Sequence, residues 1–223
     1  MSDVMDWDAA YNGQIFAGPP PWNIGTPQPV IADLIAAGQV HAPVLDAGCG
    51  VGDLTIALAE AGHDVTGTDI STAAIDQATK RAAERGVEAR FIQGDARNLA
   101  ALGLDHPQFN TIIDSTLFHS LPLDARDDYL RGIHAAANSG ARLYLLVFTT
   151  DALPADSPCP VPNLVTDDEI RTAVAKYWTI DAIEPSHVAV RLPDIPNLPK
   201  HNFHTDDNGL THLPALLLTA HKP

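Results

Sequence analysis

Positive charge is the first thing this sequence is short of. Thirteen Lys and Arg stand against 28 Asp and Glu, which gives a net charge of −15 over 223 residues and an isoelectric point near 4.7. Such a surface repels phosphate backbones and anionic headgroups, so neither nucleic acid nor a membrane is expected as a partner. Long apolar runs are missing as well, and no window nears the ~18 uninterrupted apolar residues of a membrane span. Met1 to Asp8 carries three Asp and no Lys or Arg, unlike the basic opening of a secretory signal. Cysteine is nearly absent. Cys49 and Cys159 lie in unlike contexts, offer no disulfide framework, and suggest a reducing cytoplasm.

Proline is scarce through the middle. Of 18, only Pro43, Pro107 and Pro122 fall between residues 30 and 140. Proline removes a backbone donor and breaks element interiors, so regular structure should concentrate there. The flanks are Pro-rich (Pro19 to Pro21, Pro27, Pro29, then eight from Pro154 to Pro199), yet they carry Phe16, Trp22, Ile24, Leu164, Leu192 and Phe203. They read as ordered irregular segments lying on the core rather than as linkers.

Within the middle, short apolar runs alternate with helical patterns. Strands are expected at 42–47, 63–68, 88–92, 109–114 and 142–148, with two more at 178–183 and 213–219. Helices are expected from Gly52 to Gly62, from the Ser71 cap to Gly86, from Leu123 to Asn138, and after the Thr166/Glu169 capping box. This alternation predicts an α/β, Rossmann-like, doubly wound fold. Its sheet would be seven-stranded and mostly parallel, with helices on both faces, and the last two strands would form an antiparallel hairpin at the edge.

In such a sheet, ligands sit beyond the carboxyl ends of the strands, near the point where strand order reverses. After the first strand the chain reads Asp46-Ala47-Gly48-Cys49-Gly50-Val51-Gly52. Alternate glycines allow a tight turn and leave no Cβ to block a ligand. Asp69 follows the second strand, where a carboxylate can accept hydrogen bonds from a ribose diol. Gly94-Asp95-Ala96 follows the third, an acid able to bind an adenine amino group, and Asp114-Ser115 follows the fourth. The glycine loop alone also fits a nicotinamide or flavin. However, Asp53 stands where a dinucleotide fingerprint wants Gly or Ala, and Asp46 is awkward for a pyrophosphate. Acids at three successive strand ends suit a ligand with a cationic amino acid end, a ribose and an adenine, as in S-adenosyl-L-methionine.

Val44 to Gly52 resembles the first motif of class I S-adenosylmethionine-dependent methyltransferases, and Asp69-Ile70 and Gly94-Asp95-Ala96 match the family's later cofactor motifs in order and spacing. Phe118-His119-Ser120-Leu121 is similar to a run in its small-molecule members. Pro21-Trp22-Asn23-Ile24-Gly25-Thr26-Pro27-Gln28-Pro29 resembles the entry segment of the thiopurine and halide/thiol group. It looks still more like the actinobacterial branch that methylates heterocyclic toxins and quinones.

The resemblance implies that Gly48, Cys49, Gly50 and Gly52 line the cofactor, with Gly94 at the third strand end. Asp46 would lie near its amino acid end, and Asp69 would hold the ribose. Ile70 would pack on the adenine, and Asp95 and Ala96 would meet the adenine edge. Asp114 and Ser115 would offer backbone carbonyls to the ammonium, and Trp22 would close over the methionine end. The product would be S-adenosyl-L-homocysteine. The chain then divides into a lid (1–29), a cofactor-binding core (30–150) and an acceptor-side flap with the last strands (151–223).

The expected reaction is methyl transfer to N, O or S of a small aromatic or heterocyclic acceptor. Methylation of a halide or thiol is the alternative, and a non-catalytic S-adenosylmethionine-binding protein is a further one. A nicotinamide-dependent oxidoreductase lacks a visible hydride-transfer set. Trp7, Tyr11, Phe16 and Trp22 give the lid an aromatic wall, with Tyr11, Phe16 and Phe118 expected against the acceptor. His119 is the candidate general base by position, although alignment alone can drive this chemistry. His201, His204 and His212 fit no standard metal spacing, so no metal is expected. Pro158 to Pro162 reads equally well as a rigid flap or as a surface crossing. Nothing in the sequence fixes the oligomeric state.

Overall fold

The computed structural model describes residues 5–16, 18–153, 163–192 and 203–223. Seven strands form one sheet: β1 Val44–Ala47, β2 Val65–Asp69, β3 Arg90–Gln93, β4 Phe109–Ser115, β5 Ala137–Phe148, β6 Thr179–Val190 and β7 Thr211–His221. Their order is β3-β2-β1-β4-β5-β7-β6. The first five pair in parallel, whereas β7 runs antiparallel to both β5 and β6. The expected hairpin is therefore present, with its reversed strand one place in from the edge. The chain leaves β1 toward β2 and β3, then returns to lay β4 on the other side of β1. That reversal opens a crevice above the β1 and β4 tips.

Six α-helices accompany the sheet among the described residues: α1 Trp7–Tyr11, α2 Pro29–Ala36, α3 Asp53–Glu60, α4 Thr72–Arg85, α5 Arg126–Ala136 and α6 Asp167–Val174. Alternation along the strands builds a core on each face. On β5, Leu143, Leu145 and Val147 point toward a cluster with Tyr129, Leu130 and Ile133 of α5 and Ile170 and Val174 of α6. Tyr144, Leu146 and Phe148 point the other way, toward Ile31 of α2 and Leu54 and Leu58 of α3. Ser71 and Thr166 cap α4 and α6 as the sequence predicts, the latter with a complete capping box. No helix among the described residues is long and apolar enough to cross a membrane.

The proline-rich entry is more regular than expected. Pro29 occupies the first turn of α2, where its missing N–H costs nothing. Gln28, just before it, holds the N-cap position but makes no capping bond with its side chain. Its amide instead pairs with Ala189 of β6 as a peptide would, accepting from the Ala189 N–H at 2.7 Å and donating to its carbonyl at 3.0 Å. The expected flap at Pro158 to Pro162 lies outside the described residues, as do His201 and Cys159.

Candidate active site

The crevice above β1 and β4 deepens into a cavity of about 1400 Å³ including its mouth. It runs from Asp46, Asp69 and Asp95 at the tips of β1, β2 and β3 to His119, Pro122 and Phe148.

Its floor is the glycine loop. Gly48 (φ +76°), Gly50 (+53°) and Gly52 (+82°) all take the left-handed conformation that favours glycine. A Cβ on Gly48 would stand 2.8 Å from Leu117 Cβ, and one on Gly50 would stand 2.7 Å from the Tyr11 hydroxyl. The Gly48 and Cys49 amides are held by the Thr68 carbonyl at 2.8 and 2.9 Å. Asp69 accepts from the Gly50 amide and from the Ser71 amide, both at 2.9 Å. One carboxylate thus locks the loop and the start of α4 while keeping lone pairs for a ligand.

Two acids on this floor have no cationic partner among the described residues. Asp46 is 1% exposed, and it accepts from the Thr55 hydroxyl at 2.6 Å. Burial, with Asp69 and Asp114 nearby, pushes its pKa up to about 7. Burial raises Asp69 too. Asp53 and Asp95, by contrast, are matched by Arg81 and Arg97, each at 2.5 Å. Isolated buried carboxylates are unfavourable, so this floor is built for a cation. The Cys49 thiol is pushed far up by burial and by Asp46 and Asp69, which makes it an inert spacer. Thr68 Oγ1 is buried in the wall without a partner among the described residues. Ile70, 45% exposed, presents apolar surface at the β2 tip.

Trp22, Tyr11, Asp46, Gly48, Cys49, Gly50, Asp69, Ile70, Asp95, Ala96, Ser115 and His119 all line this one cavity. The other anticipated residues stand behind it. Gly52 packs on Ala78 and Phe91, and a Cβ on Gly94 would overlap Leu102. The Asp114 carboxylate is fully buried. It accepts from the Tyr129 hydroxyl at 2.7 Å and from the Leu117 and Phe118 amides at 2.8 and 3.2 Å, fixing the turn after β4. Phe118 is fully buried against Tyr129 in the core rather than turned toward an acceptor. Phe16 braces Trp22 edge-on at 5.4 Å, as Trp7 does at 6.1 Å.

The N-terminal segment roofs the cavity and is tied down at each end. Asp8 accepts from the Ser71 hydroxyl at 2.6 Å and the Ala73 amide at 3.0 Å. Gly25 N–H donates to Asp53 at 3.1 Å, and Arg191 N–H donates to the Pro21 carbonyl at 2.7 Å.

At the other end sits His119, 3% exposed, its ring tilted on Phe148 at 4.9 Å. Its Nδ1 accepts the Phe148 N–H at 3.4 Å. The neutral ring therefore carries its hydrogen on Nε2 and offers the cavity a donor. Burial and then Arg126 depress its pKa to about 3. A ring so placed is a weak proton acceptor, which changes the role expected for it. Sequence reasoning missed Thr116 beside it, which lines the cavity at φ +79°. No local pattern announces a β-branched residue there.

A family model described as a methyltransferase domain matches residues 44–140. Over 97% of its length the chain is 40% identical to a 2-heptyl-1-hydroxyquinolin-4(1H)-one methyltransferase of Mycobacteroides abscessus, 96% of which is covered. A structure solved in work on the conversion of a disulfide bond into a thioacetal group during echinomycin biosynthesis matches with a TM-score of 0.82 at 32% identity. The match covers 100% of this chain and 93% of that one. Magnesium protoporphyrin IX methyltransferase of Synechocystis PCC 6803, solved with S-adenosylmethionine bound, shares the fold with a TM-score of 0.60 at 23% identity. It covers 87% of this chain and 76% of that one.

Proposed function

Because this chain belongs to the S-adenosyl-L-methionine-dependent methyltransferases, we propose that it methylates an acidic oxygen on a small flat heteroaromatic molecule, such as a 1-hydroxyquinolin-4-one. The observation that carries this reading is the division of the cavity. One end is a glycine cradle with unpaired acids, and the other is a half-apolar compartment bounded by His119, Phe148, Leu121 and Pro122. The 40% identity to a hydroxyquinolinone methyltransferase supports it.

The cofactor fits the residues present. Unpaired Asp46 faces a cation, Asp69 keeps lone pairs for the ribose hydroxyls, and Ile70 offers a face for the adenine. Thr68 Oγ1 lacks a partner that a ligand can supply. When bound, S-adenosylmethionine supplies the methyl group as an electrophilic sulfonium. The protein's task is then alignment. The Thr116–Leu117 turn and the Phe148 ring hold the acceptor plane, and reacting atoms need to lie about 3–3.5 Å apart. His119 Nε2–H donates a hydrogen bond to an acceptor oxygen and fixes its direction. Trp7, Tyr11 and Trp22 exclude water from above.

Incubation with S-adenosylmethionine and a panel of a 1-hydroxyquinolin-4-one, a phenol, an aromatic thiol and iodide, followed by mass spectrometry, tests this. The expected product is the methyl ether of the hydroxyquinolinone. Methylation of the thiol alone would favour a sulfur acceptor, and methylation of iodide alone would overturn both.

A further inference from the structure

Arg126 begins α5 directly behind the acceptor end of the cavity. Its side chain is unusual on three counts. It is 7% exposed, and its Nε is buried with no hydrogen-bond partner among the described residues. It also makes no ion pair with any carboxylate among the described residues. Its guanidinium lies over the Phe118 ring at 4.8 Å and donates to the Asn163 carbonyl at 2.7 Å. Asn163 in turn donates to the carbonyl of Leu121, a cavity residue, at 3.1 Å. The charge thus stands one layer behind the wall that His119 and Leu121 form.

We propose that Arg126 sets acceptor specificity, its buried charge selecting molecules that enter the cavity as anions: an aromatic oxyanion, an N-oxide anion or a thiolate. The inference rests on reading that end of the cavity as the acceptor compartment. The charged and titratable groups facing Arg126 oppose its field only in part. On α6, Glu169 attracts Arg126 without pairing with it, its carboxylate bonding the Thr166 amide and hydroxyl at 2.8 and 2.9 Å. Asp114, beyond Phe118, is tied to Tyr129 and two amides. His119 is neutral and donates toward the cavity. The remaining wall acids, Asp46, Asp53, Asp69 and Asp95, belong to the cofactor end. Charges in a poorly hydrated interior interact several-fold more strongly than in water.

The chemistry then balances without a base. The acceptor's proton leaves to bulk water as the anion binds. The anion's lone pair forms the new bond to the methyl carbon while the carbon–sulfur bond breaks with its pair to sulfur, so two opposite charges become two neutral products. A cation behind the acceptor favours binding of the anion but also tempers its nucleophilicity. Its removal should therefore raise KM far more than it lowers kcat.

The direct test needs no variant. A 1-hydroxyquinolin-4-one is titrated spectrophotometrically, free and bound to the wild-type protein saturated with S-adenosylhomocysteine. The expected result is a bound pKa about one to two units below the free value. A bound pKa equal to or above the free value overturns the proposal. In parallel, Arg126→Met should move the acid limb of kcat/KM up by about one pH unit, with the loss shrinking at higher pH, and Arg126→Lys should restore it. An unmoved acid limb, or a loss equal at every pH and not rescued by lysine, also overturns it. If no hydroxyl or thiol is methylated at all, the proposed function fails and takes this inference with it. Methylation with an unshifted bound pKa sinks this inference alone.

Discussion

Thr116 shows best what a single residue is asked to do here. A β-branched side chain at φ +79° carries strain of about 1–3 kcal/mol. It persists because its surroundings dictate it. The Thr116 amide donates to Leu146, Ser120 Oγ donates to the Thr116 carbonyl, and Asp114 grips the next two amides. Thr116→Gly removes the strain but adds chain entropy to the unfolded state, so a net stabilisation of about 1 kcal/mol is expected by calorimetry. If the conformation serves the acceptor, turnover should fall at least roughly tenfold, about 1.4 kcal/mol in the barrier. A less stable variant with normal turnover would make Thr116 a packing residue.

At this same scale the sequence was legible where chemistry depends on near neighbours. Gly48, Gly50 and Asp69 announce themselves because a tight turn and a strand-end acid are local requirements. Phe118 and Asp114 did not, because Tyr129, 11 and 15 positions on, decides where they point. Nor did the tautomer of His119, set by an amide 29 residues away.

Among the elements, the N-terminal strap is the one whose attachment matters most. It touches α4 through Asp8, whose carboxyl the Ser71 hydroxyl and then the Ala73 amide hold below the usual range. It touches β6 through Gln28, and Arg191 just beyond that strand through Pro21. Gln77 adds a bond to the Tyr11 carbonyl at 3.1 Å. Asp8→Ala should therefore free the strap without unfolding the sheet. The expected signature is faster proteolysis between residues 5 and 29, a several-fold weaker cofactor affinity, and a melting temperature close to wild type. A cooperative drop in melting temperature with unchanged affinity would show the strap to be part of the core instead. The seven strands and the α-helices between residues 44 and 136 could be anticipated, because apolar periodicity and caps record them directly, whereas the strand order could not. Helix α2 could not, because a proline-rich run masks the start signal that Pro29 provides and the helix is held by β6, some 160 residues distant.

Across the whole molecule, the acid excess and the buried site converge on one pH dependence. Asp46 titrates at about 7 and Asp114 at about 6, both raised chiefly by burial from an ordinary value of 3.8. Between those values the folded protein binds more protons than the unfolded chain, so stability is present at low pH and is lost as pH rises through about 6 to 7. Without cofactor, the melting temperature should fall between about pH 5 and about pH 8. The chain as a whole carries −15, so the trend alone does not isolate the site. Asp46→Asn does: its amide oxygen can still accept from Thr55, but it has no proton to lose. That variant should flatten the slope and outlast wild type at the alkaline end. Cofactor should reverse the sign for wild type, because a cation beside Asp46 favours the carboxylate. Its stabilising effect should grow with pH and its binding should release protons, which calorimetry in buffers of different ionisation heat measures. A ligand-free melting temperature that rises across the window, or an Asp46→Asn curve parallel to wild type, would remove Asp46 as the source of the effect and with it the claim that this floor waits for positive charge.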